Sequence, residues 1–161
     1  LIQRDEFKNL LIVSGDPGSV LPEVLKHRVS NIWFIERDPE LIDMREIPVL
    51  PEGITLHIES EDAFRFIRKT PEIFDAVLLI LPPPSTLMLN RFYTTDFFSE
   101  VRKKMTDNGI LMCSPGSGET YFNKESAILY SSVFNSLSSV FTNVMPIVGN
   151  KLFYISSDGE V

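Results

Sequence analysis

Short apolar runs alternate with helical patterns along this chain, and that alternation most constrains its fold. Five runs rich in β-branched and aromatic residues have the length of buried strands. Between them, apolar residues recur every three or four positions, as in amphipathic helices. The runs are NLLIV, NIWFIE, ITLHI, FDAVLLIL and GILMCS; the helical segments are VLPEVLKH, PELIDMRE, DAFRFIRK and DFFSEVRKKM. This order predicts an α/β fold with a mainly parallel sheet and helices on both faces.

The remainder of the sequence adds one long helix and two final strands. The helix is predicted over 124–140, and NVMPIV and KLFYIS follow as a closing antiparallel pair. With 161 residues, 43% of them hydrophobic, the sequence can form one core, so we predict a single domain over 1–161. Because the sequence begins at Leu1, we expect it to be a piece of a longer protein.

Charge and the few cysteine and histidine residues argue against several classes of function. A formal net charge of -7 disfavours binding to nucleic acid or to anionic lipid. Cys113 lacks an internal disulfide partner, and His27 and His57 have no metal-ligand spacing. The strongest apolar run, 76–81, is far shorter than the ~20 residues that cross a bilayer. We therefore expect a cytoplasmic segment that binds no metal and does not itself contact a membrane.

Polar residues at the ends of three predicted strands suit a nucleoside ligand. Gly15 and Gly18 in SGDPGS allow close backbone approach before a helix begins, although a plain strand-to-helix turn is the alternative. Glu36 ends the next strand about 20 residues later, where a carboxylate can accept hydrogen bonds from both ribose hydroxyls. Asp62 follows the third strand and is either an acceptor for an adenine amine or the N-cap of the next helix.

These segments carry a family resemblance that covers nearly the whole chain. The blocks SGDPGSVLPEVLKH, IERDPELID, EDAFRFIR, FDAVLLILPPPSTLMLNRFYTTDFFSEVRKKMTDNGIL and YFNKES resemble the spermidine synthase family, especially its bacterial branch attached to membrane-spanning segments. The resemblance implies a class I methyltransferase-like Rossmann fold that holds S-adenosylmethionine or its decarboxylated form. It also implies a role in polyamine biosynthesis. The small N-terminal β-domain of that family is not part of this sequence, and a homodimer is the assembly we consider.

The resemblance also assigns ligand-binding roles to individual residues. Glu36 matches the ribose carboxylate of the family, and Asp62 matches its adenine aspartate, with Ala63 beside it. Gly15 and Gly18 match two glycines of the family's GGGDGG loop. The cofactor-binding residues expected from the resemblance are therefore Gly15, Asp16, Gly18, Glu36, Asp62 and Ala63.

The glycine loop departs from the family pattern at four positions. Ser14, Asp16 and Ser19 stand where the family has glycine, and Pro17 stands where it has aspartate. A Cβ resists positive φ, and Pro17 removes an N–H, so we expect weaker binding or another loop shape. Asp16 adds negative charge that repels a carboxylate-bearing ligand such as S-adenosylmethionine.

The acidic turn that would activate an amine is also changed. Aminopropyl transfer needs an acidic group to orient the attacking amine and accept its proton. In the family this group comes from a D-x-x-D-P turn after the fourth strand, where this sequence has Ile80 and Pro83. Asp75 is expected at the opposite end of that strand, and Asp96 is expected to cap a helix. Catalytic residues are therefore unknown from the sequence.

Several functions remain open at this point. Asn90, Arg91 and Tyr93 either contact a ligand or pack at the surface, whereas Cys113 is interpreted as a core residue. One hypothesis is a binding module that has lost aminopropyl transfer. The alternatives are an active aminopropyl- or methyltransferase that keeps Glu36 and Asp62 for the ligand, and a scaffold whose cleft is filled.

Overall fold

A computed structural model describes residues 6–43, 47–117 and 124–159. Strands and helices alternate as the sequence predicts. The strands are β1 (Glu6–Val13), β2 (Arg28–Glu36), β3 (Thr55–Ser60), β4 (Phe74–Leu79), β5 (Met105–Ser117), β6 (Asn143–Val148) and β7 (Lys151–Ser157). The helices are α1 (Pro17–Val24), α2 (Pro39–Asp43), α3 (Ala63–Lys69), α4 (Leu87–Asn90), α5 (Thr95–Arg102) and α6 (Lys124–Ser138), with a 3-10 turn at Arg91–Tyr93.

The strands form one seven-stranded sheet in the order β3-β2-β1-β4-β5-β7-β6. The first five strands of this order pair in parallel, and β7 runs antiparallel to both β5 and β6. In the middle of the sheet, Val13 of β1 pairs with Ile35 of β2 and with Leu79 of β4. The predicted mainly parallel α/β sheet with an antiparallel closing strand is confirmed.

Helices cover both faces of this sheet, as predicted. One core cluster contains Leu21 and Val24 of α1. The other contains Phe66 of α3, Phe97 of α5 and Leu137 of α6. The central strands are apolar on both faces because each face is buried against helices.

Strand order reverses beside β1, since β2 and β3 lie on one side of it and β4 on the other. Ligands of open α/β sheets bind outside the carboxyl ends of the strands at such a reversal. A hydrogen bond of 3.0 Å from the Ile80 N–H to the Val13 carbonyl joins β1 and β4 at this point. The crevice at the carboxyl ends of β1 and β4 is therefore the expected position of a ligand-binding site.

Two local features differ from the sequence-based predictions. Asp96 was expected to cap α5, but Thr94 is the N-cap, and its hydroxyl accepts a hydrogen bond from the Phe97 N–H. The proline-rich loop over 81–93, where the sequence analysis predicts no helix, contains α4 and the 3-10 turn. The block YFNKES falls partly outside the described residues. Among those that are described, no helix is long and apolar enough to span a bilayer.

Candidate functional site

Two adjoining cavities open at the carboxyl ends of the strands. The first, about 620 Å³, lies over the ends of β2 and β3 and is named here the ribose-side cavity. The second, about 830 Å³, lies over the ends of β4 and β5 and is named the β4-side cavity. Ser14, Leu81 and Pro82 line both cavities. Molecules bound in the two cavities would therefore be neighbours.

Glu36 is a buried carboxylate at the end of β2, only 6% exposed, and it lines the ribose-side cavity. Its Oε1 accepts hydrogen bonds from the N–H groups of Arg37 at 2.8 Å and Asp38 at 3.3 Å. Its Oε2 accepts a hydrogen bond of 2.8 Å from the hydroxyl of Ser14. These bonds hold the carboxylate in one orientation within a cavity that suits a hydroxyl-bearing ligand.

The loop after β1 retains a left-handed backbone despite its substitutions. Ser14 has φ 60° and Gly15 has φ 95°. The Ser14 N–H donates to the Ile35 carbonyl at 2.8 Å, and its side chain bonds to Glu36, so local contacts hold a conformation that a Cβ disfavours. Ser14 thus keeps a positive φ although its Cβ disfavours it.

The rest of the loop forms the first turn of α1. Pro17 stands within the first turn, where its missing N–H removes no intrahelical bond. Asp16 is the N-cap, and its Oδ2 accepts hydrogen bonds from the N–H and hydroxyl of Ser19. Gly15 and Asp16 line the β4-side cavity, whereas Gly18 is an exposed helical residue outside the lining of either cavity.

Asp62 and Ala63 line the ribose-side cavity together with Glu36. Asp62 is the N-cap of α3, because its Oδ1 accepts a hydrogen bond of 3.2 Å from the Arg65 N–H. Its Oδ2 forms an ion pair with the guanidinium of Arg91. The carboxylate thus caps the helix with one oxygen and presents the other toward the side of the cavity lined by Arg91.

Arg91 belongs to the site, and the sequence did not predict its ion pair with Asp62. It follows α4, lines the ribose-side cavity and lies over the Phe92 ring, with its guanidinium carbon 4.5 Å from the ring centroid. Its Nε is buried and has no hydrogen-bond partner among the described residues. The pair with Asp62 joins positions 29 apart in the chain, so local spacing gives no signal for it.

The β4-side cavity is apolar where the family resemblance places acids. Ile80 directly follows β4, and Pro83 lies in the loop after it. Both residues line this cavity, and neither carries an ionisable group. A Cβ on Gly15 would lie only 2.9 Å from Cγ2 of Ile80, which shows how closely the isoleucine packs on the loop. Asp16 is the carboxylate among the described residues that line the cavity, and Lys151 is the cation.

The other acids considered from the sequence lie away from both cavities. Asp75 is near the start of β4, and its Oδ2 accepts hydrogen bonds from the N–H groups of Lys8 and Asn9. This position at the opposite edge of the sheet agrees with the prediction. Asp96 is in the first turn of α5 and lines neither cavity.

Tyr93 is buried, and its hydroxyl contacts the loop whose Leu81 and Pro82 line both cavities. Its hydroxyl lies 3.1 Å from the carbonyl oxygens of Pro82 and Ser114. Burial raises the pKa of this hydroxyl above its usual range, and nearby Cys113 adds to the shift. Tyr93 is therefore a protonated donor that fastens the loop to β5, and neither it nor Asn90 lines a cavity.

Cys113 has the properties of a core residue. It is fully buried in β5, and burial raises the pKa of its thiol to about 12. A thiol with such a pKa carries no nucleophilic thiolate at neutral pH. In the described part of the chain, no group of three or more histidine, cysteine or acidic residues is arranged to hold a metal ion.

Sequence relatives of the chain are aminopropyltransferases. It is 30% identical to a polyamine aminopropyltransferase of Oceanobacillus iheyensis, in an alignment that covers 96% of this chain and 32% of that protein. It is 26% identical to polyamine aminopropyltransferase 2 of Aquifex aeolicus, over 96% of this chain and 31% of the relative. The chain spans about a third of the length of these two curated relatives.

Solved structures share the fold at low sequence identity. A spermidine synthase in complex with the transition state analogue AdoDATO matches with a TM-score of 0.75 and 17% identity, over 96% of this chain and 56% of that one. Human methyltransferase-like protein 13 in complex with SAH matches with a TM-score of 0.69 and 16% identity, over 93% of this chain and 71% of that one. Both likenesses support the methyltransferase-like fold.

Family membership follows from a match that extends along almost the whole sequence. The family described as the spermine/spermidine synthase domain matches residues 1–156. This range includes the first six strands and nearly all of β7, together with the residues that line both cavities. The chain belongs to the spermine/spermidine synthase family.

Proposed function

We propose that this chain binds an adenosyl ligand in the ribose-side cavity and has lost aminopropyl transfer. The ligand is S-adenosylmethionine or its decarboxylated form. In this proposal residues 1–161 act as one domain in the cytoplasm. The solved relatives bound to SAH and to AdoDATO support this class of ligand.

The ribose-side cavity has the chemistry that an adenosyl group needs. The oriented carboxylate of Glu36 would accept hydrogen bonds from the ribose hydroxyls. Asp62 would accept a hydrogen bond from the adenine amine, with Ala63 next to it at the start of α3. The buried Nε of Arg91 supplies a donor that an acceptor atom of the ligand could satisfy. Glu36 and Asp62 thus bind in this proposal without acting on the reacting atoms.

The absence of an acid at Ile80 and Pro83 is the observation that carries the loss of activity. An attacking amine is protonated at neutral pH and must lose its proton to have a free electron pair. Neither residue can accept that proton, and Oδ2 of Asp16 already caps α1. The described side chains that line this cavity would therefore leave the amine protonated and unreactive.

Product formation from two defined substrates tests this loss. The chain is incubated with decarboxylated S-adenosylmethionine and putrescine, and mass spectrometry measures spermidine and methylthioadenosine. An active aminopropyltransferase under the same conditions shows that the reagents are competent. We expect neither product from this chain above the rate without protein. Spermidine that forms in proportion to protein concentration would overturn the proposed loss.

An active transferase is the second candidate, because the β4-side cavity is open next to the ligand cavity. A volume of about 830 Å³ leaves room for an acceptor, which also disfavours a scaffold with a filled cleft. Such an enzyme would convert S-adenosylmethionine to S-adenosylhomocysteine, or the decarboxylated form to methylthioadenosine, when its acceptor is present. Turnover of either donor with a small-molecule acceptor would favour this candidate over the binding module.

A further inference from the structure

We propose that the β4-side cavity binds an apolar molecule with one anionic end and rejects polyamines. The inference rests on the proposed function, since it takes the neighbouring ribose-side cavity as the adenosyl site. It names the class of second ligand that this chain would hold beside the adenosyl group.

The lining of the β4-side cavity is largely apolar. Its walls come from the ends of β4 and β5, from the proline-rich loop, and from residues of α2 and β7. The apolar residues are Leu41, Leu79, Ile80, Leu81, Pro82, Pro83, Met112 and Phe153. Placing an ammonium group against these apolar walls removes it from water, whereas an alkyl or aryl group gains from burial. The apolar walls therefore favour a ligand whose main part is an alkyl or aryl group.

Two of the described charged residues line the cavity, and only Asp16 already has charge-stabilising contacts within the protein. Asp16 is the N-cap of α1, where its carboxylate accepts hydrogen bonds from Ser19 and lies at the positive end of the helix. Lys151 begins β7 and is exposed, and no described carboxylate forms an ion pair with it. In this proposal the ammonium of Lys151, and not the capped carboxylate of Asp16, is the charge that meets a ligand. It attracts an anionic end and repels a diamine.

Methionine residues provide a separate reporter for each cavity. Met88 lines the ribose-side cavity, and Met112 lines the β4-side cavity. Met145 lies on β6 and lines neither, so it serves as an internal control. In protein labelled with ¹³C at the methionine methyl groups, NMR shifts then show which cavity a probe enters.

The probes are hexanoate, hexylamine and putrescine, each added with and without saturating methylthioadenosine. Hexanoate and hexylamine carry the same alkyl length and opposite charge, so their comparison isolates the charge preference. We expect hexanoate to shift Met112 and not Met145, and to bind about two- to fivefold more tightly than hexylamine, as for a partly exposed ion pair. Putrescine should leave Met112 unshifted. Equal or tighter binding of hexylamine or putrescine at Met112 would overturn the inference.

Two variants and one control separate the contributions. Lys151→Gln should lower hexanoate affinity about two- to fivefold and remove the preference over hexylamine. Pro83→Asp changes an exposed loop residue, and it should invert the preference toward hexylamine. Lys69→Gln, on α3 and ion-paired with Glu61, should change neither affinity. Unchanged hexanoate binding in Lys151→Gln would contradict the role of Lys151.

The same spectra distinguish failure of the inference from failure of the proposed function. If methylthioadenosine does not shift Met88, the adenosyl proposal fails, while the response of Met112 to hexanoate still reads the second cavity. If methylthioadenosine shifts Met88 but hexanoate shows no preference at Met112, only the inference fails.

Discussion

The hydroxyl of Ser14 donates a hydrogen bond of 2.8 Å to Oε2 of Glu36, joining the ends of β1 and β2. Ser14 makes this contact from a left-handed backbone conformation with φ 60°, which few non-glycine residues adopt. Its side chain thus occupies an oxygen that the proposed function assigns to a ribose hydroxyl. The contact links the altered glycine loop directly to ligand affinity.

Ser14→Gly is predicted to strengthen binding of methylthioadenosine. Glycine removes the hydroxyl that competes with the ligand for Oε2 of Glu36. We expect this to make the binding free energy more favourable by about 1 kcal/mol, which corresponds to about fivefold higher affinity. Isothermal titration calorimetry measures this change. Ser19→Ala, which alters the same loop without touching Glu36, should not strengthen binding. Weaker binding by Ser14→Gly would show that the orientation Ser14 gives to Glu36 matters more for the ligand than the competition for Oε2.

Asp62→Asn is predicted to abolish discrimination between methylthioadenosine and methylthioinosine. In the proposed function the Asp62 carboxylate accepts a hydrogen bond from the adenine amine, which inosine lacks. Asparagine could donate to the inosine oxygen and still cap α3. We expect the unaltered protein to prefer the adenosine compound about tenfold, and the variant to show no preference. Calorimetry with both compounds measures the ratio. Asp38→Asn alters another carboxylate in the same cavity, and this variant should keep the preference of about tenfold for the adenosine compound.

Gly15→Ala is predicted to destabilise the fold more than Gly53→Ala. Both glycines have positive φ, 95° and 88°, but a new Cβ meets Ile80 at the first site and no atom within 4 Å at the second. Backbone strain alone costs about 1 to 2 kcal/mol, and the contact with Ile80 adds to this at Gly15. Urea unfolding at pH 7 measures both variants. Equal losses would show that Ile80 moves away at little cost.

Asp158→Asn is predicted to cost stability at neutral pH and little in acid. Burial opposes ionisation of Asp158, but hydrogen bonds from Thr142 and Arg102 outweigh it and lower the pKa of this carboxyl. Its stabilisation is therefore present above the unfolded pKa near 3.9, and it is lost as pH falls through the lower folded value. We expect a loss of about 1 to 2 kcal/mol at pH 7.

Urea unfolding at a series of pH values checks this dependence. The difference between the unaltered protein and Asp158→Asn should shrink below a pH of about 4. Asp107 is an exposed aspartate on β5, so Asp107→Asn serves as the control. This variant should change the free energy of unfolding little at any pH. A difference that stays constant into acid would contradict the charge-based account.

The sequence predicted the sheet well because its signals are local. Apolar runs such as FDAVLLIL predict a strand whose described bounds, Phe74–Leu79, fall within the run. The cap of α5 was predicted wrongly because the segment TTD offers three adjacent residues with suitable oxygens, and Thr94 is the one at the helix boundary. The short helix α4 was missed because its four residues follow a proline-rich stretch and bury no apolar residue.

The candidate site was predictable only in part. The sequence placed Glu36 and Asp62 at strand ends, and the resemblance added Ala63 beside Asp62. The structure brings all three to one cavity. The ion pair of Asp62 with Arg91 depends on how the loop after β4 reaches the N-terminus of α3, which no periodicity encodes. The strained backbone of Ser14 likewise depends on the tertiary contact with Glu36.

The most direct test of adenosyl binding is calorimetric titration with S-adenosylmethionine, its decarboxylated form and methylthioadenosine. Glu36→Ala removes the ribose acceptor, and Glu59→Ala removes an exposed glutamate of β3 that lines neither cavity. Thermal melts establish that both variants are folded. The account predicts saturable binding of at least one ligand that persists in Glu59→Ala and is lost in folded Glu36→Ala. No binding of any ligand, or equal binding in folded Glu36→Ala, would contradict it.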